Sequence, residues 1–138
     1  MLALRLTQAI KAPPAQVFDA WLKPAMIRQW LFKSPRHKIV RIDIDPKVGG
    51  GFSILEDADG ERIDHFGTYD IIDRPHCLVF SLEVPSLLEG VTRVSIEIAA
   101  TQEGSLLTLT QTGIEPEKAE RGWRTMLAQL ARVLEGKF

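Results

Sequence analysis

The sequence predicts an α+β protein with one antiparallel sheet, two short helices near its start and a long helix at its end. Several segments between residues 39 and 113 alternate apolar and polar side chains with a period of two, as half-buried strands do. The breaks between these segments are short, which favours antiparallel neighbours. Residues 116–134 repeat with the helical period instead. The predicted order is β-αα-β6-α, with about seven strands.

One strand and two short helices are predicted within residues 2–31. The apolar residues Leu2, Leu4, Leu6 and Ile10 alternate with Arg5, Thr7 and Ala9, which predicts a strand over residues 2–10. A proline is preset for the first turn of a helix, so Pro14 and Pro24 mark the starts of the two helices. The apolar positions at helical spacing are Val17, Phe18, Trp21 and Leu22 in the first helix and Met26, Ile27, Trp30 and Leu31 in the second.

Six further strands are predicted, and turn residues separate them. The run Gly49-Gly50-Gly51 predicts a structural turn in which at least one residue needs a positive φ. Residues 57–60 give a hairpin signal between two of the strands. The strands are predicted over residues 39–44, 52–56, 63–72, 77–84, 91–100 and 106–113.

The last predicted element is a long amphipathic helix over residues 116–134. Pro116 lies near its first position, and Glu117 lies near the positive end of the helix dipole. One broad apolar face is expected to pack on the sheet. The apolar stripe consists of Trp123, Leu127, Leu130 and Leu134.

Length and composition place the chain among ordinary globular proteins. Its 138 residues predict a single domain over residues 1–138, and 45% apolar with 25% charged content argues against disorder. No apolar run approaches the roughly 20 residues of a membrane-spanning helix, and the start does not resemble a signal peptide. The single cysteine, Cys77, excludes an internal disulfide. We therefore expect a cytoplasmic protein without a membrane partner.

Charge is unevenly distributed along the chain although the net charge is −1. Residues 20–42 contain six Lys and Arg and no Asp or Glu, whereas residues 43–90 contain eleven acidic and three basic residues. Such a pattern could attract an anionic partner or pair two copies of the chain in a homodimer. It is more typical of solvated polar faces on each element. The pI of about 6.3 argues against binding of nucleic acid.

Four motifs occur in order along nearly the whole chain. They are Ala12-Pro13-Pro14 with Trp30, Val48-Gly49-Gly50 with Phe52, Gly67-Thr68-Tyr69 with Arg74-Pro75, and Gly122-Trp123 with Leu127 and Leu130. Together they resemble the START-like, birch-pollen-allergen-like superfamily (SRPBCC), and most closely its branch of homologues of the activator of heat-shock protein 90 ATPase. The resemblance implies a helix-grip fold, in which a curved antiparallel sheet surrounds the long C-terminal helix. It also implies a hydrophobic ligand pocket between sheet and helix.

Signatures of catalysis and of metal binding are missing from the sequence. It contains no G-x-S-x-G, P-loop, G-x-G-x-x-G or H-E-x-x-H motif. His76 and Cys77 are neighbours on a predicted strand and therefore point to opposite faces, which argues against a thiolate–imidazole pair. His37 and His65 have no metal-ligand spacing to His76. We expect no catalytic residue, no metal and no cofactor.

Three polar residues fall on predicted inward faces. His65 and Tyr69 share one face of their strand with Gly67 and Ile71, and Gln111 continues an apolar face of the last strand. A buried polar group needs a partner or a wet cavity, so these residues are either satisfied core residues or groups that orient a ligand. A bulge before Gly67 would turn His65 outward.

The function predicted from the sequence is non-catalytic binding of a small hydrophobic or amphipathic molecule between the sheet and the C-terminal helix. The resemblance gives an alternative, a co-chaperone-like module that binds a chaperone, since the best-known member of the branch assists ATP hydrolysis by one. A weaker alternative is a hydrolase or cyclase that uses the same pocket. The predicted lining residues are Trp30, Phe52, His65, Tyr69, Phe80, Gln111, Trp123 and Leu127.

Overall fold

The computed structural model describes residues 2–136, and its elements follow the predicted order β-αα-β6-α. Among these residues, no helix combines the length and the apolar character needed to cross a membrane. The strands are β1 (Ala3–Ile10), β2 (Lys38–Ile44), β3 (Gly51–Ala58), β4 (Glu61–Asp73), β5 (Cys77–Leu82), β6 (Thr92–Thr101) and β7 (Gly104–Thr112). The helices are α1 (Pro14–Asp19), α2 (Pro24–Trp30) and α3 (Pro116–Leu134).

The seven strands form one antiparallel sheet in the order β1-β7-β6-β5-β4-β3-β2. Strands β2 to β7 are a meander, in which each strand pairs with the next in sequence, and β1 pairs with β7 at the edge. The pairing register shifts between Ile39 and Arg41 in β2 and between Tyr69 and Ile71 in β4. Because such bulges bend and twist strands, they curve this end of the sheet. The predicted helix-grip fold is confirmed.

Helix α3 buries the predicted stripe in the core. Trp123, Leu127 and Leu130 are buried, and Leu134 is partly buried against the same cluster. Both shorter helices also start at the predicted prolines. The side chain of Trp30 at the end of α2 is buried, and its indole N–H donates to the Ala20 carbonyl at 3.1 Å. The core therefore lies between the sheet and all three helices.

The β4 bulge decides which side chains of that strand face inward. His65 and Tyr69 are buried, as predicted, because the bulge follows Tyr69 rather than preceding Gly67. The prediction that Ile71 shares this face is wrong. The register shift turns it outward, and 46% of its surface is exposed.

Gly67 has a different role from the one its position suggested. A glycine on the inward face lacks a side chain and would by itself leave more space between sheet and helix. A Cβ at this position would instead overlap the carbonyl oxygen of Ser81 on β5. Gly67 therefore permits a close approach of two backbones.

The turn before β3 requires one of its three glycines for its conformation. Gly49 has a φ of 84°, and a Cβ there would meet nothing within 4 Å, so a substitution is penalised by backbone conformation alone. We expect Gly49→Ala to lower the free energy of unfolding by about 1–2 kcal/mol, measured by urea denaturation. Gly51→Ala is the matched control, because its Cβ would make only an ordinary contact at 3.4 Å. Equal losses of stability at Gly49 and Gly51 would contradict the conclusion that the turn requires glycine at position 49 for its positive φ.

Candidate functional site

A groove with two adjoining lobes opens between the first half of α3 and the chain that follows β5. Each lobe has a volume of about 380 Å³. The apolar lobe is lined mainly by Leu82, Val84, Leu88, Ala119 and Trp123, with Gln111 and Lys118. The wall of the second lobe is also mostly apolar, and we call it the polar lobe only because charged and hydroxyl side chains are among its lining residues, which are Lys33, Ser34, Pro35, Glu56, Arg121 and Thr125. Both lobes are lined by Phe32, His65, Leu87, Gly122 and Met126.

Helix α3 contributes an exposed glycine to both lobes. A Cβ on Gly122 would meet no atom within 4 Å, so close packing does not require glycine at this position. Glycine inside a helix is less favourable than alanine by about 1 kcal/mol. The missing side chain of Gly122 leaves open space along the groove at the point where the two lobes meet.

Phe32 stands at the junction of the lobes in a constrained conformation. Its φ is 52°, in the left-handed region that non-glycine residues rarely adopt. Its backbone N–H contacts the sulfur of Met126 on α3 at 3.0 Å. Its ring stacks on His65, with 4.7 Å between centroids and 4° between planes, and meets Trp123 edge-on at 5.8 Å. Contacts on several sides hold this conformation in place, as is common at binding sites.

A cluster of two histidines and a glutamate lies at the polar lobe, and its members Glu56 and His65 line that lobe. Glu56 Oε1 lies 3.1 Å from His65 Nε2, and Glu56 Oε2 lies 2.6 Å from His37 Nδ1. The backbone N–H of Ser34 also donates to Oε2 at 3.3 Å. We call these three side chains the His–Glu–His cluster. Hydrogen bonds hold it together, and no group of three or more side chains within residues 2–136 is arranged to bind a metal.

Glu56 is ionised in spite of its burial. Only 5% of its surface is exposed, and this desolvation alone would raise its pKa. The hydrogen bonds from His65 and His37 act in the opposite direction and hold the pKa of the carboxyl below its usual value. A carboxylate only accepts hydrogen bonds, so both histidines donate to it.

This arrangement fixes the orientation of His65. Its Nε2–H is used by Glu56, so Nδ1 is the ring nitrogen that remains. Among residues 2–136, Nδ1 of His65 has no hydrogen-bond partner. The residue is 7% exposed and lines both lobes. His65 therefore brings an oriented ring without a partner at Nδ1 to the wall of the groove.

Gln111 is held by a chain of hydrogen bonds. It accepts from the indole N–H of Trp123 at 2.8 Å and donates to the hydroxyl of Thr92 at 3.0 Å, which donates to the Leu82 carbonyl at 2.9 Å. The chain ties β5, β6, β7 and α3 together behind the apolar lobe. Gln111 thus fixes the indole of Trp123 as part of the lobe wall.

The eight predicted lining residues are all buried, but the structure divides them into three groups. His65, Gln111 and Trp123 line the apolar lobe. Phe52, Tyr69 and Phe80 surround an inner void of about 10 Å³, which has room for about one water molecule. Trp30 and Leu127 lie outside both lobes and outside this void.

The surroundings of Tyr69 are those of a packed core. Its ring contacts Phe52 and Phe80, with centroids 5.4 and 6.3 Å away. Burial raises the pKa of its hydroxyl. His65 and Tyr69 share a strand face, as predicted, yet only His65 reaches the groove.

Cys77 and His76 lie away from the groove. His76 Nδ1 is 3.3 Å from the Ile98 carbonyl oxygen, in the turn before β5. Burial, together with the charges of Glu97 and Asp73, raises the pKa of the Cys77 thiol. This environment does not activate a thiolate.

Several residues of the groove were not predicted. Glu56 is the third inward position of β3 after Phe52 and Ile54, so a carboxylate interrupting a period-two apolar face was the signal for it. Phe32 lies in the connection after α2, where no periodicity exists. The other unpredicted lining residues are Lys33, Ser34, Pro35, Leu82, Val84, Leu87, Leu88, Lys118, Ala119, Arg121, Gly122, Thr125 and Met126.

Solved structures of bacterial proteins share this fold. A protein from Chromobacterium violaceum is 25% identical, with a TM-score of 0.87 over 98% of this chain and 99% of that one. An AHSA1-like protein from Aeromonas hydrophila is 22% identical, with a TM-score of 0.83 over 98% and 93%. A protein of unknown function from Staphylococcus aureus is 20% identical, with a TM-score of 0.81 over 98% and 94%.

The chain was also compared with protein families and with curated proteins. No curated protein matches it. The family model described as "Activator of Hsp90 ATPase homolog 1-like protein" matches residues 11–135, which is nearly the whole chain. The motifs found in the sequence, the helix-grip architecture and this match agree, and the chain belongs to the Activator of Hsp90 ATPase homolog 1-like family.

Proposed function

We propose that this protein binds a small amphipathic molecule in the groove between α3 and the sheet, without catalysing a reaction. The observation that carries the proposal is the pair of adjoining lobes, whose walls are both mostly apolar. Sites for small molecules have volumes of roughly 300–1,000 Å³, with mostly apolar walls and a few placed polar groups. Both lobes meet this description, and Lys33, Glu56 and Arg121 are charged side chains placed in the second lobe.

Gly122 and Phe32 support the proposal independently of the volume. Each is the less stable choice for its backbone conformation, because alanine favours a helix and a left-handed φ disfavours phenylalanine. Both residues lie where the lobes meet. A function in this groove accounts for both of them, whereas packing does not require the glycine.

The proposal assigns ligand contact to only part of the predicted lining set. His65 and Trp123 face the groove directly, and Gln111 acts mainly by holding Trp123. We propose no ligand contact for the residues around the inner void or outside both lobes, because a ligand does not fit there. These residues are Trp30, Phe52, Tyr69, Phe80 and Leu127.

A test follows from the open space at Gly122. N-phenyl-1-naphthylamine is an uncharged apolar probe that becomes fluorescent in apolar surroundings, so it reports binding without help from charge. Gly122→Leu places a side chain in the groove where no atom opposes it, and leucine is a good helix former. We expect this variant to fold at least as stably as the wild type and to bind the probe at least tenfold more weakly.

Gly122→Ala is the control for the helix effect. It gains the same helix propensity, about 1 kcal/mol, but adds only one methyl group to the groove. Its affinity for the probe should stay within about threefold of the wild type. Equal probe binding by Gly122→Leu and wild type, at full stability, would contradict a ligand site in this groove.

A second candidate function is a co-chaperone-like interaction with another protein. The family and an exposed apolar patch favour it, since Leu87 is 62% exposed and Leu2 and Val91 are also exposed. Leu2 and Leu87 line one further cavity, which shares Leu87, Leu88 and Lys118 with the apolar lobe. This function predicts that the protein changes the rate of ATP hydrolysis by purified heat-shock protein 90 and that Leu87→Ser abolishes the change. An unaltered ATPase rate would exclude it.

A further inference from the structure

We propose, building on the function proposed above, that the ligand is an organic acid whose carboxylate lies in the polar lobe. The groups that bind it are Nδ1 of His65 and the side chains of Lys33 and Arg121, and binding adds one proton to His65. The apolar part of the acid then occupies the lobe beside Trp123.

The charges around the groove support an anionic ligand. Lys33 and Arg121 line the polar lobe, and Lys118 lines the apolar lobe. Within residues 2–136, Glu56 is the only carboxylate that lines either lobe, and both of its oxygens accept hydrogen bonds from histidines. Lys118 is offset by Glu115 at 3.6 Å, whereas Arg121 has no ion pair within residues 2–136. The lobes thus carry an excess of positive charge that a carboxylate can neutralise.

The hydrogen bond that His65 makes to Glu56 determines how His65 must be protonated to bind a carboxylate. Its Nε2 donates to Glu56, so the neutral ring has a bare acceptor at Nδ1. A carboxylate cannot donate to that acceptor, because it has no hydrogen. It binds there only when Nδ1 is also protonated, which makes His65 an imidazolium with a carboxylate on each side. Binding of the anion is therefore linked to proton uptake.

Several charged groups line the lobes together with His65. They are Glu56 on β3, Lys33 after α2, and Arg121 and Lys118 on α3. His37 shares the carboxylate of Glu56 and is itself 3.8 Å from Asp59. A carboxylate in the polar lobe offsets the charges of the three cations.

The direction of the pH effect follows from this linkage. Binding that takes up a proton is favoured as pH falls, while an alkyl carboxylate stays ionised above about pH 5. Affinity for an alkyl carboxylate should rise as pH falls from 8 to 6. Affinity for the corresponding alcohol should not change in this way, because the neutral ring accepts its hydroxyl hydrogen.

The experiment compares three probes with one alkyl chain by isothermal titration calorimetry: octanoate, 1-octanol and octyltrimethylammonium. We expect octanoate to bind at least tenfold more tightly than the other two at pH 6 and to lose at least threefold in affinity at pH 8. Titrations in two buffers of different ionisation enthalpy should show proton uptake with octanoate only. Arg121→Gln should weaken octanoate binding severalfold, and His65→Gln should remove the pH dependence.

Arg132→Gln is the charge control, because Arg132 is an exposed arginine of α3 that lines neither lobe. It should leave all three affinities unchanged. Equal binding of octanoate and 1-octanol would overturn the acid assignment while the amphipathic-ligand function stands. Tighter octanoate binding without proton uptake would overturn the role of His65. Failure of all three probes and of N-phenyl-1-naphthylamine would overturn the proposed function itself.

Discussion

Replacing Leu130 with alanine should lower the free energy of unfolding by about 2–5 kcal/mol. Leu130 is fully buried at the centre of the α3 stripe, with Leu127 before it and Ala131 beside it in the same core. Alanine removes the buried atoms and leaves a cavity that neighbouring elements of the sheet cannot close. Urea denaturation with an unchanged m-value measures the loss.

Arg132→Ala on the exposed side of the same helix is the control for this substitution. It should change the free energy of unfolding by no more than about 0.5 kcal/mol. A loss at Leu130 as small as that of the control would mean that α3 packs on another surface. The groove would then have to be placed elsewhere as well, because α3 forms one of its walls.

Replacing Glu56 with glutamine should lower the free energy of unfolding at pH 7 by about 1.5–3 kcal/mol. Glu56 is buried and accepts hydrogen bonds from two histidines and one backbone N–H. The amide keeps the shape of the carboxyl but carries one acceptor oxygen and a donor, so at least one histidine loses its bond.

The pH dependence of stability gives the same substitution a second readout. The pKa of Glu56 lies below its ordinary value, so the carboxylate stabilises the fold above that ordinary value. The contribution is lost as pH falls through the lowered pKa of the folded state. Stability of the wild type should therefore fall more steeply below about pH 4.5 than that of Glu56→Gln.

Glu61→Gln tests whether the effect is specific to the cluster. Glu61 is an exposed carboxylate at the start of β4, close to Glu56 along the meander. Its substitution should leave unchanged both the free energy of unfolding at pH 7 and the steepness with which stability falls below about pH 4.5. Identical behaviour of the two variants would show that the His–Glu–His cluster does not stabilise the fold.

Local sequence patterns predict most of this fold because its elements obey simple periods. Pro14, Pro24 and Pro116 each lie at the start of a helix, where the missing N–H has no cost. The strands of the meander alternate inward and outward residues and are joined by short turns, which leaves one sensible pairing. The exception is Ile71, where a bulge changes the face within a strand whose alternation looks regular.

The candidate site was less predictable because it depends on distances between elements. The inward faces of His65 and Gln111 follow from strand alternation. No local sequence pattern shows that the space near Tyr69 is filled by side chains while the space near His65 is open. Phe32 owes its place to contacts with Met126 and His65, which are distant in sequence. Glu56 is the one unpredicted residue that the sequence could have indicated, because a carboxylate on an apolar strand face needs a partner.

The measurement that tests the central claim most directly is an NMR titration of ¹⁵N-labelled protein with N-phenyl-1-naphthylamine. The account predicts that the largest shifts of backbone amide signals occur at Phe32, Leu87 and Gly122, which line both lobes of the groove. Amides of Phe52 and Tyr69 beside the inner void should move much less. Shifts centred on those two residues, or spread evenly over the surface, would contradict a ligand site between α3 and the sheet.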